Sequence, residues 1–179
     1  MSLNKVLTLT PEPLTAEAFS DFGDVIQVGE QPIMINEGTT ERHHKLSSVE
    51  LLGQSDLAII NIFRAQPRTL PMDIKMMERH PLGSQAFLPT SSRPYLVLVC
   101  LGQQKPDPYS MRLFLVSGRE PSLTGVSYKA NCWHHPLLAL EDVTDFWVVD
   151  RAGDGNNLEE YEFDSAWHIQ IPELKNYEL

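Results

Sequence analysis

The stretch YLVLVCLGQQKPDPYSMRLFLVS (residues 95–117) decides the fold class. Its ends, YLVLVCL (95–101) and MRLFLVS (111–117), are short runs of β-branched, aromatic and other apolar residues. A cluster of Gly, Pro and Asp separates them. Apolar runs bounded in this way read as strands. The same pattern recurs upstream in DVIQV (24–28), KLSSVELL (45–52), LAIINIFRA (57–65), IKMMERH (74–80) and QAFLP (85–89). Downstream it recurs in GVSYKA (125–130), HHPLLAL (134–140), DFWVVDR (145–151) and AWHIQI (166–171). Many strands at such spacing, with no helical pattern between them, predict a mainly β sandwich or barrel of antiparallel strands rather than a βαβ fold.

One helix interrupts the pattern, in LTAEAFSDFGDVI (14–26). Thr15 suits its N-cap, Glu17 the positive first turn, and Ala18, Phe19 and Phe22 an apolar stripe, with Gly23 as a left-handed exit. The polar segment AGDGNNLEEYEFDSA (152–166) reads as a surface loop.

The chain has 179 residues and a 42% apolar content, which suits a single domain over 1–179 with a core of its own. Its net charge of −10, without Lys/Arg clusters, argues against nucleic acid or an anionic membrane as partner. Cys100 and Cys132 sit in apolar or aromatic runs and read as buried free thiols. With no signal-peptide core and no apolar run near the ~20 residues that cross a bilayer, the expected location is the cytoplasm.

Two segments carry the chemistry, MMERHPLGSQAFLP (76–89) and NCWHHPL (131–137). PLGS (81–84) has the residues of a tight turn. As a hairpin it would set His80 against Gln85 and Glu78 against Phe87, with Glu78 and His80 on one face. A carboxylate, an imidazole and a carboxamide do not suit an apolar core, since each one buried without a partner costs about 1–3 kcal/mol. The face would therefore line a wet pocket or be the solvent side of an edge hairpin. In the second segment, strand alternation would send one of His134 and His135 into a cavity and the other to the side of Trp133.

The first segment resembles the opening motif of the cupin barrels, G-x5-H-x-H-x3-4-E, with Glu78 at the first histidine's place and Gln85 at the glutamate's. GVSYKANCWH (125–134) resembles the second cupin motif. The full three-histidine-plus-glutamate set is not present. A closer likeness spans nearly the whole chain. AFSDFGDVI, NEGTTERHHKL, RAQP, MERHPLGSQAFLP, NCWHHPL and VTDFWVVDR, in this order, resemble the ureidoglycolate lyase family. The resemblance implies a cupin-like β-barrel, a homodimer, and cleavage of (S)-ureidoglycolate to glyoxylate and urea in allantoin breakdown. It also implies nickel or another divalent metal.

Elimination from a carbinolamide needs a base for the hydroxyl proton, an acid for the departing urea nitrogen, and a cation or donors for the carboxylate. His80 and His134 would face each other as an acid/base pair or as two ligands of one metal. Glu78 would be a ligand or a proton acceptor, and Gln85 would orient substrate or ligand. Arg42, Arg64 and Arg151 are the candidates for the carboxylate, Arg42 lying in a loop-like segment with Asn36 and His44. No organic cofactor is expected, as no Gly-rich nucleotide loop is present. The competing readings are another metal-dependent cupin enzyme and a non-catalytic domain that binds a small carboxylate.

Overall fold

The structure, a computed structural model, describes residues 5–117 and 123–174. Its elements begin with β1 (Lys5–Thr8), β2 (Pro11–Pro13), α1 (Ala16–Phe19), β3 (Gly23–Ile26), β4 (Ile33–Ile35) and β5 (Thr40–Arg42). They continue with β6 (Leu57–Ala65), β7 (Met72–Ile74), β8 (Met76–Arg79), β9 (Gln85–Pro89), β10 (Tyr95–Cys100) and β11 (Arg112–Val116). The last are β12 (Gly125–Tyr128), β13 (Trp133–His134), β14 (Leu138–Ala139), β15 (Thr144–Ala152), β16 (Glu159–Glu162) and β17 (Trp167–Ile171). The fold is mainly β, antiparallel for the most part, with one short N-terminal helix, as the strand pattern predicts.

Three layers result. A seven-stranded sheet runs β16-β8-β13-β10-β11-β2, with β14 also on β10, and a five-stranded sheet runs β3-β12-β9-β15-β6. A third, of three strands, runs β1-β17-β7. Strand β10 shows why its sequence is apolar without alternation: every residue in it is buried. Tyr95, Val97 and Val99 enter one core with Phe87, Val126, Phe146 and Val148 of the five-stranded sheet. Leu96, Leu98 and Cys100 enter a second core with Ile74, Ile169 and Ile171 of the three-stranded sheet. A strand buried on both faces has no polar positions to alternate with. Both cysteines are buried and free. Burial pushes the Cys100 thiol up to about 12, so it stays protonated at neutral pH.

The helix is a single turn. Thr15 Oγ1 accepts from the Ala18 N–H at 3.1 Å, as its cap position predicts. Gly23 is not its exit, since the helix stops at Phe19 and Gly23 opens β3. Glycine is required there by close approach, because a Cβ would stand 1.9 Å from the Ser127 carbonyl oxygen on the neighbouring strand.

Other expectations are corrected. Segment 45–52 forms no strand beyond one bridge from Leu51 to Gly83, and it instead runs beside the outer face of the five-stranded sheet, where Leu46 and Val49 share a groove with Leu88 and Val149. Run 74–80 splits into β7 and β8, which belong to different sheets. Run 134–140 is broken by Pro136 into β13 and β14. The polar segment read as a loop contains β16, because Glu159 to Glu162 pair with β8 along a sheet edge open to solvent. Of the two segments expected as a dimer contact, the N-terminal strand and the tail IPELKNYEL (171–179), the first forms β1, paired in parallel with β17, and residues 175–179 of the second lie outside the described residues. Among the described residues no helix is long and apolar enough to cross a membrane.

The expected hairpin around PLGS does not form. Strand β8 pairs with β16 and β13, whereas β9 pairs with β12 and β15. Residues 80–84 therefore carry the chain from one sheet to the other. Gln85 stands opposite Tyr128, and Phe87 opposite Val126 and Val148. What faces Glu78 is His134.

Candidate active site

That single antiparallel pairing of β8 with β13 builds the site. Glu78 and His134 are cross-strand partners, and His80, one residue past the end of β8, brings its ring to the same cluster. The Asn131 N–H donates to the His80 carbonyl at 3.0 Å and extends the pairing. One ligand atom from each of Glu78, His80 and His134 lies within 4.8 Å of the other two. The two imidazole centroids are 5.3 Å apart. Tyr128 stacks flat on His134 at 4.2 Å and 11°, backing the ring with a buried aromatic wall.

Backbone carbonyls fix the tautomers. His80 Nδ1 lies 2.7 Å from the Asn157 carbonyl, and His134 Nδ1 lies 2.9 Å from that of Cys132. His135 Nδ1 lies 2.8 Å from the Pro136 carbonyl. A carbonyl only accepts, so each neutral ring donates from Nδ1 and keeps its lone pair on Nε2. The Nε2 atoms of His80 and His134 are buried and have no hydrogen-bond partner among the described residues. His134 Nε2 is 3.5 Å from Glu78 Oε1, beyond a good hydrogen bond.

The surroundings favour the ionised form of Glu78 and the neutral forms of His80 and His135. Burial lifts the Glu78 pKa, but the imidazoles of His134, His80 and His135 outweigh it and hold the group below the ordinary carboxylate value. Burial, then the charge of His134, lowers His80. Burial likewise lowers His135, with a smaller push from Arg68. Two imidazole nitrogens and one carboxylate oxygen, oriented by carbonyls behind them, form a donor set that fits a divalent transition metal.

The set lies beside a cavity of about 420 Å³ walled by Glu78, Gln85, Tyr128, His134 and His135 on one side and by Phe63, Arg64 and Arg68 at the rim. The family model described as ureidoglycolate lyase matches residues 6–170, the stretch that holds every one of these side chains. The chain belongs to the ureidoglycolate lyase family. It is 55% identical over 168 residues to the ureidoglycolate lyase of Brucella melitensis biotype 2, covering 93% of this chain and 96% of the relative. The ureidoglycolate lyase of Agrobacterium fabrum is 51% identical over 163 residues, 90% of this chain and 95% of the relative. Among solved structures, a dTDP sugar isomerase from Desulfovibrio desulfuricans G20 aligns with a TM-score of 0.45 and 18% identity, over 79% of this chain and 85% of that one.

Of the side chains expected in the site, Glu78, His80 and His134 converge, and Gln85 lies in the cavity wall. Gln85 is buried, and its Nε2 donates to Asp150 Oδ2 at 3.1 Å. A carboxylate oxygen accepts from the amide nitrogen, so this bond sets the amide, and Oε1 is buried with no partner among the described residues. Arg64 reaches the rim with its fork taken by Asp145, at 2.8 Å from both Nε and Nη2. Arg151 is buried elsewhere, paired with Asp56 and donating to the Asp154 carbonyl at 2.6 Å. Asn36, Arg42 and His44 are apart from the cavity. Asn36 bonds Thr40 at the turn of the β4–β5 hairpin, and Arg42 and His44 are exposed.

Strand alternation misplaces His135. Strand β13 ends at His134, so His135 is free of the alternation and turns to the same cavity, while Trp133 packs in the second core. Asn157, Tyr128 and Arg68 were not legible as site residues. Asn157 acts through its backbone carbonyl, which no side-chain pattern marks, and Tyr128 reads as an ordinary strand aromatic. Arg68 had one available signal, a second arginine four residues after Arg64 in RAQPR.

Proposed function

We propose that this chain cleaves (S)-ureidoglycolate to glyoxylate and urea, as a carbon–nitrogen lyase of allantoin breakdown with one cupin-like domain over residues 1–179. The observation that carries the reading is the pair of buried Nε2 atoms on His80 and His134, unpartnered among the described residues, clustered with Glu78, where Glu78 and His134 line a cavity sized for a small substrate. Family membership supports the substrate. The two buried free cysteines suit the reducing cytoplasm.

Glu78, His80 and His134 would hold a divalent cation. Nickel is compatible with two imidazoles and a carboxylate. When bound, such an ion supplies positive charge that lowers the pKa of the substrate hydroxyl. Glu78, held ionised, serves as countercharge better than as base. His135, with its Nδ1 proton tied to the Pro136 carbonyl, has the Nε2 lone pair to accept the hydroxyl proton as the aldehyde forms. Returning that proton to the departing urea nitrogen leaves the enzyme unchanged. Tyr128 and Phe87 close off water on the side away from the rim.

The test is turnover of racemic ureidoglycolate by metal-analysed protein, measuring urea against ammonia. Urea with no ammonia is expected, at a rate that falls on chelation and returns with Ni2+. Ammonia would require a hydrolytic route, and absence of both products would favour the binding domain.

The proposal includes a homodimer. Its support is the outer face of the five-stranded sheet, where Ile60, Ile62 and Trp147 are exposed side by side, Ile62 being the cross-strand partner of Trp147. Beside them runs the edge of β6, nine residues long and unpaired among the described residues. An apolar patch next to an open edge calls for a covering surface. Light scattering should give twice the 20.3 kDa chain mass, and the double change Ile60→Asp, Ile62→Asp should halve it. A wild-type monomer would refute the dimer.

A further inference from the structure

The cavity has charged side chains of both signs, and only one cation among them is unspent. Glu78 is committed to the imidazoles, and Arg64 is neutralised by Asp145. Arg68 lines the same cavity, and its guanidinium has no hydrogen bond or ion pair among the described residues. Its backbone, by contrast, is anchored, the Arg68 N–H donating to the Ala139 carbonyl at 2.8 Å. A tethered main chain with a free fork at a cavity rim is the arrangement that captures a planar anion in two parallel hydrogen bonds.

We propose that Arg68 is the anchor for the substrate carboxylate, an assignment that rests on the lyase reading above. The charges in the cavity orient the substrate accordingly. Glu78, and Asp150 behind Gln85, repel a carboxylate from the deep end, while Arg68 draws it to the rim near His135. Bound this way, the carboxylate keeps the hydroxyl and ureido groups of the adjacent carbon turned inward, toward the three imidazoles. Lysine at this position would retain the charge but lose the second, coplanar hydrogen bond.

The experiment compares Arg68→Gln and Arg68→Lys with wild type, each with its metal content measured. For Arg68→Gln, KM for ureidoglycolate should rise about 30-fold or more, with kcat within a few-fold, as expected for removing a charged partner of a bound group. Inhibition by glyoxylate, which keeps the carboxylate, should weaken by the same factor, and inhibition by urea should not change. Arg68→Lys should recover part of the loss, and metal content should match wild type throughout. The exposed position of Arg68 permits both variants to fold, which circular dichroism checks. Unchanged KM and glyoxylate inhibition in Arg68→Gln would overturn the assignment, as would a comparable loss found in Arg64→Gln instead. Should wild type release no urea, the lyase reading fails separately, and calorimetric titration with glyoxylate still decides on Arg68. Weaker binding in Arg68→Gln upholds the anchor, and equal or undetectable binding in both proteins refutes it.

Discussion

Replacing His134 by alanine is expected to lower kcat by about 10²-fold or more and to abolish stoichiometric metal binding. The imidazole is at once a cross-strand neighbour of Glu78, a ring 5.3 Å from His80 and the group stacked on Tyr128. No other residue occupies all three positions. Its removal leaves Glu78 half-buried without its main counterweight, which should raise the carboxyl pKa back toward or above the ordinary value. The same loss is expected for His80→Ala, and the double variant should be hardly worse than either single one. Groups that act on one ion are non-additive, whereas independent catalysts would multiply their losses. A folded His134→Ala protein with near wild-type release of urea would remove this cluster from the mechanism.

Phe146→Ala should destabilise the protein by about 3–5 kcal/mol, the usual cost of deleting a buried aromatic ring. For a chain of this length that is a fall in Tm of about 6–20 °C. Phe146 is fully buried between the two larger sheets, edge-on to Tyr95 at 5.1 Å and to Phe87 at 6.4 Å. Phe87 in turn meets Tyr128 at 5.7 Å, and Tyr128 supports His134. The aromatic stack therefore joins the core to the cavity wall. Phe146→Leu fills more of the volume and should cost less. Differential scanning calorimetry on the three proteins orders them, and equal Tm values would show that the ring is not a core element.

The parts of the fold that were legible are those where local pattern and tertiary role coincide. LAIINIFRA and QAFLP coincide with the strands β6 and β9 from end to end, as short runs rich in apolar residues. YLVLVCL was legible as a strand, although its two-sided burial was not, since an unbroken apolar run leaves open how many layers cover it. KLSSVELL misled because its apolar residues pack onto a sheet face as an irregular segment, and left-handed Lys45 and Ser55 break the extended path on either side. The single-residue bridge at Leu51 is all the strand it makes.

By itself the sequence determined the mainly β class, the helix cap at Thr15, the buried thiols, and the side shared by Glu78 and His80. All of these depend on neighbours a few residues away, where the two-residue period of a strand or the first turn of a helix fixes geometry. Tertiary structure alone decided which strand faces Glu78. Residues 80–84 could close a hairpin on local grounds, but the chain crosses between sheets there, and β13, more than fifty residues downstream, takes the place assigned to β9. It likewise decided which arginines are spent: Arg151 on Asp56 and Arg64 on Asp145, both partners more than eighty residues away in the chain. Pairing across such separations is settled by burial of the whole sheet and by competition among charges, and neither leaves a mark in the spacing of adjacent residues.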